Sequence, residues 1–123
     1  MVGAISEAVK FKRSLGMLNR ALDFTPERGG PLMGLLKRVE EEYFPSMLDE
    51  TSRLHGTWKH TGARDVEVLR LRFGLEGSPM LFKEIGVKYG VSASRAQQLT
   101  GRALRHLAWV IRDPGGVLEG VAN

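Results

Sequence analysis

The chain has 123 residues, 42% of them apolar, enough to bury one modest core but hardly two independent ones. It contains no cysteine, which excludes a disulfide framework, a thiolate metal site and a cysteine nucleophile. The net charge of +4 is modest, but from Ser92 to Arg112 it becomes one-signed: Arg95, Arg102, Arg105 and Arg112 occur with no carboxylate among them. Such a segment suits a polyanion, or a basic helix face matched by acids elsewhere in the fold.

In chain order, the N-terminus MVGAISEAVKFKR carries Glu7 and lacks the apolar run of a secretory signal. No stretch approaches the roughly 20 apolar residues that span a bilayer, so a cytoplasmic protein without a membrane partner is expected. Residues 5–22 place Ile5, Val9, Leu15, Leu18 and Leu22 at helical spacing, with Lys10, Arg13 and Arg20 between them. Pro26, Gly29, Gly30 and Pro31 then predict a loop. A second helix is predicted from Leu32 to about Phe44, ended or kinked by Pro45, and a short third from Ser46 to about Leu54 with Ser46 as its cap. Residues 55–63 read as a connector. Arg64–Phe73 repeats apolar residues in a way that fits a helix or a strand, and Gly74, Gly77 and Pro79 mark a turn after it. Helices over 81–89 and 92–111 follow, stopped by Asp113-Pro114-Gly115-Gly116. The expected class is all-α: an N-terminal helical extension over 1–60, a helical domain over 61–113 and a tail over 114–123.

Phe82–Gly101 fits the spacing of a helix-turn-helix. Two helices that touch need a small residue at the contact, a residue tolerant of positive φ in the turn, and apolar residues to lock them together. Gly86, Gly90 and the set Ile85, Val91, Ala96 and Leu99 meet these needs, and Ser92 is placed to cap the second helix. That helix would then project its first residues outward, as recognition helices do when they enter the major groove of double-stranded DNA. The candidate DNA-binding residues are Ser92, Ser94, Arg95, Gln97 and Gln98, with Arg102 and Arg105 one turn apart for phosphates. The same pattern also describes a plain helical hairpin with a solvated polar face.

Catalytic patterns are lacking. His55, His60 and His106 are scattered, and no HExxH or Cys/His cluster accompanies them, so neither a metal nor a cofactor is expected. Glu40, Glu41 and Glu42 point in different directions on a helix and read as a solvated face or an acidic docking surface. Gly29-Gly30 lacks the lysine of a phosphate-binding loop. Trp109 and Phe73 are read as core residues. Neither an enzyme nor a small-molecule substrate is expected.

The segments EVLRLRFGL, KEIGVKYGVS and RALRHL make residues 64–107 resemble region 4 of the bacterial sigma-70 family. The resemblance rests on Glu67–Leu75, Glu84–Gly86, Gly90–Ser92, Gln98 and Arg102–Leu107. It implies an all-helical module that contacts the promoter −35 element and docks on the flap of the RNA polymerase β subunit. The family's recognition helix reads close to S-R-E-R-V-R-Q-I-E, whereas this chain has Ala93, Ser94 and Gln97 at three polar base-reading positions and keeps Arg95 and Gln98. With about 1–3 kcal/mol at stake per bidentate base contact, the usual −35 preference should be lost. Residues 1–60 also show no aromatic and basic helix like that of the family's promoter-melting region.

These features lead to a transcription regulator that binds promoter DNA and contacts RNA polymerase, of an accessory, phage or prophage, or antitermination kind. The alternative is an interaction module that occupies the β flap or a sigma factor with little DNA binding of its own.

Overall fold

The computed structural model describes residues 7–23, 31–49, 61–75 and 77–112. Among them are five helices and no strand: α1 (Glu7–Asp23), α2 (Pro31–Leu48), α3 (Gly62–Phe73), α4 (Phe82–Tyr89) and α5 (Ala93–Ile111). The all-α expectation holds, and Arg64–Phe73 is helix. The longest helix, α5, is the axle of the fold, packing against each of the other four.

In α1, Leu18 is fully buried and Phe11 and Leu15 pack at the margin of the core. Val9, expected on the apolar face, stands 40% exposed, and Phe11 instead meets Trp109 edge to face at 5.8 Å. Trp109 is therefore a half-buried clamp between helices, whereas Phe73 is fully in the core.

Of the two outcomes expected at Pro45, an end or a kink, the end does not occur. Helix α2 runs through it to Leu48, with Pro45 on the exposed side. Proline in a helix interior costs roughly 3 kcal/mol. Phe44 and Met47 flank it, each 2% exposed, and such burial contributes about 1.5–3 kcal/mol per side chain, which offsets the cost. Ser46 thus lies within α2 rather than capping a third helix, its carbonyl accepting from the Asp49 amide. Residues 50–54 of that expected helix, most of the 55–63 connector (with His55, Trp58 and His60), the Pro26–Gly30 loop and the tail lie outside the described residues; Gly62 and Ala63 already belong to α3.

One continuous core joins the N-terminal helices to the rest: Leu18 of α1, Val39, Phe44 and Met47 of α2, Val66, Leu69 and Phe73 of α3, and Ala103, Leu104, Leu107 and Ile111 of α5. Two polar links reinforce it. Arg70 Nε donates to Glu40 Oε2 at 2.6 Å while its guanidinium lies over the Phe44 ring. Arg72 donates to the Met80 carbonyl at 2.9 Å and stacks on Phe82, pinning the loop between α3 and α4.

Candidate nucleic-acid interface

The turn between α4 and α5 follows from four local choices. The Leu81 amide donates to Glu84 Oε1 at 2.9 Å, closing the start of α4. At its end Gly90 adopts φ +68°, a left-handed conformation that costs glycine little. The Val91 amide returns to the Gly86 carbonyl at 2.8 Å. A Cβ at position 86 would sit 2.6 Å from the Val91 carbonyl oxygen, so only glycine lets the turn close this tightly. Ser92 then caps α5, its Oγ accepting from the Arg95 amide at 3.1 Å.

Ile85 and Ala96 are fully buried, Leu99 nearly so and Val91 partly, locking the two helices as expected. Ala96 is the single buried residue between Ser92 and Gln98; Ser92, Ala93, Ser94, Arg95, Gln97 and Gln98 are exposed. Thr100, fully buried, spends its hydroxyl on the Ala96 carbonyl at 2.8 Å and is taken out of the surface. The first two turns of α5 therefore form an exposed, largely polar ridge on a packed base.

The expected site residues are not equivalent on this ridge. Ser92 has committed its oxygen to the cap. Arg95 Nη1 donates to Gln98 Oε1 at 3.2 Å, so these two side chains stand together. Ser94, Gln97, Gln98 and Arg105 line one groove of about 490 Å³. Arg102 is half-buried and engaged within the protein, whereas Arg105 is exposed. No acidic residue occurs anywhere in α5, so the positive end of its helix dipole and its arginines act in the same sense on an approaching anion.

A family model described as Sigma-70, region 4 matches residues 62–108. Residues 62–108 are a sigma-70 region 4-like helix-turn-helix segment. It spans α3, α4 and nearly all of α5, a DNA-binding, transcription-related type of module not known for catalysis. No solved structure matches the chain. Outside the region 4-like segment lie α1 and α2, and α1 contributes Asn19 to the same groove as Gln97 and Gln98. Sequence reasoning missed this neighbour, because which helix covers the flank of α5 depends on tertiary packing between residues about 80 positions apart.

Among the described residues no three His, Cys, Asp or Glu side chains come together as a metal site, and no helix is long and apolar enough to cross a membrane. His106 is fully buried, with Nδ1 3.0 Å from Asp65 Oδ2; Thr61 Oγ1 donates to the same oxygen at 2.9 Å. The cluster ties α5 to the start of α3.

Proposed function

We propose that this protein is a promoter-binding transcription regulator that inserts the N-terminal half of α5 into the major groove and works with RNA polymerase. The observation that carries this reading is the ridge from Ser92 to Gln98, polar, exposed and free of acid, held on a buried apolar base at a turn that aims it outward. Helix α5 is of the size that the major groove admits. Gln98 and Arg95 are the base readers, Ser94 and Gln97 flank them, and Arg105 meets phosphate, with Arg102 as its neighbour one turn away. Ala93, Ser94 and Gln97 in place of the family's charged readers support a site other than the usual −35 element. That departure fits an accessory regulator of phage, prophage or antitermination type. Selection from a random duplex pool, followed by electrophoretic titration at several salt concentrations, tests the reading. Affinity should fall steeply with salt in proportion to the phosphates contacted; no binding to any duplex at low salt would end it.

A second reading draws on a different surface. Leu48, Ala63, Val66 and Leu71, together with Glu67, Arg70 and Lys88, line a groove of about 300 Å³ beside α3, and Val87 on α4 is 78% exposed. An apolar helix of the polymerase β flap or of a sigma factor is the occupant this reading assigns. Pull-down by the isolated flap without DNA, together with undetectable DNA binding, would favour it over the first.

A further inference from the structure

Helix α1 runs antiparallel along α5. Phe11 meets Trp109 edge to face, and eight residues later Asn19 borders the groove lined by Ser94, Gln97, Gln98, Gly101 and Arg105. Eight residues span about 12 Å of helix, the same length that separates Trp109 from Gly101. The C-terminal end of α1 therefore reaches the flank of the ridge, and its earlier turns lie beside the half of α5 that faces away from it.

Taken with the docking of α5 in a major groove, this placement has a geometric consequence. Packed helices have axes about 8–10 Å apart, a helix with side chains is about 10–12 Å across, and the major groove is about 12 Å wide. Two helices do not fit in it side by side. A helix packed along the flank of α5 must ride over the groove's edge, where the phosphates are. Helix α1 is chemically suited to that place: Lys12, Arg13, Asn19 and Arg20 are all exposed and share one face, 12 with 19 and 13 with 20 being two turns apart. Among the described side chains, that stripe holds three cations and an amide.

We propose that α1, outside the region 4-like segment, forms a second wall of the DNA-binding surface and holds the phosphate backbone through Asn19 and Arg20. The proposal rests on the DNA-binding reading above. Lys12 and Arg13 belong to the same stripe but lie about 10 Å farther from the ridge. That exceeds the screening length of about 8 Å at physiological salt, so they contribute less. Base identity is read by α5 and not by α1.

The test is the salt dependence of binding to a duplex selected by the wild-type protein, measured from 50 to 200 mM salt. Removing one phosphate contact lowers the slope of log affinity against log salt by about 0.9. Arg20→Ala should therefore lose about threefold less affinity across that range than wild type, with unchanged base preference. Arg13→Ala should shift the slope less, and Arg20→Glu more than Arg20→Ala. Arg20 is exposed, so thermal melting should be unaltered in each variant. A wild-type slope retained in both Arg20 variants overturns the proposal and leaves the DNA-binding reading standing. A changed base preference in Arg20→Ala overturns it as well, since α1 would then touch bases. If the wild-type protein binds no duplex from the pool, both fall together.

Discussion

Asp65 Oδ2 and His106 Nδ1 meet at 3.0 Å, both side chains fully buried, one on the first turn of α3 and the other near the end of α5. At a separation of 41 positions, the pair is a long-range polar link within the region 4-like segment. It fixes the rotation of α5 about its own axis, and with it the direction in which the ridge faces. Thr61 is the third member, its hydroxyl donating to the same carboxylate oxygen. Replacing Asp65 by alanine strips His106 of this partner inside the core, which costs about 1–3 kcal/mol. The expected outcome in urea unfolding is a loss in that range for Asp65→Ala and a smaller one for Asp65→Asn, which keeps an acceptor. A loss below about 0.5 kcal/mol in Asp65→Ala would show the pair to be dispensable.

Gly86 and Gly90 both serve the turn, but for different physical reasons, and their substitutions should separate accordingly. A Cβ at 86 would strike the Val91 carbonyl oxygen at 2.6 Å, a backbone atom that cannot step aside without opening the turn. A Cβ at 90 would meet nothing within 4 Å; the difficulty there is only the φ of +68°. Left-handed backbone costs a non-glycine residue about 1–2 kcal/mol, and overpacking about 1–3 kcal/mol or more. Gly86→Ala should thus destabilise more than Gly90→Ala, and Gly90→Asn should recover part of the loss, because asparagine tolerates this conformation. Equal melting temperatures for the two alanine variants would refute the assignment.

The turn was readable because every part of it is local: Gly86, Gly90, Ser92 and the apolar residues around them lie within one short stretch, and each has one dominant physical use. The continuation of α2 through Pro45 was not readable. Local propensity argued for a stop, and it was overruled by the burial of Phe44 and Met47, whose partners come from other helices. Glu40 looked like part of a solvated acidic face until α3 supplied Arg70. His106 reads in the sequence as one of three scattered histidines, and nothing in spacing brings it to Asp65, 41 positions away. The placement of α1 beside the ridge belongs to the same class, being decided by packing rather than by any motif.

The Tyr89 hydroxyl is hydrogen-bonded to the Glu67 carboxylate, joining α4 to α3. Partial burial, then the hydrogen bond and the negative charge of Glu67, push the phenol well above its ordinary value, while Arg64 pulls weakly the other way. The folded protein thus prefers the neutral phenol, and the unfolded chain ionises first, near pH 10. The stability this confers is complete below about pH 10 and is lost as pH rises toward the raised folded value. Tyr89→Phe has no such limb. At neutral pH it should be less stable by under about 1 kcal/mol, the bond being near the surface, and the gap should narrow above about pH 10. Parallel stability curves for the two proteins through that range would contradict the link.

Arg95 and Gln98 stand on the ridge as a hydrogen-bonded pair, and Arg105 lies about two to three turns beyond them, beside Gly101. A glutamine amide can contact adenine with two bonds, worth about 1–3 kcal/mol of discrimination, whereas an arginine on a phosphate adds affinity without regard to sequence. Gln98→Ala should therefore flatten the base preference at one position of the selected site and leave the salt slope nearly intact. Arg105→Ala should weaken all duplexes alike and lower the slope by about 0.9. Because Gln98 also holds Arg95, the double variant Arg95→Ala with Gln98→Ala should lose less discrimination than the two single losses added together. Competition binding against single-base variants of the selected duplex reads both quantities at once. A salt slope that falls in Gln98→Ala while its base preference persists would reverse the roles assigned to these residues.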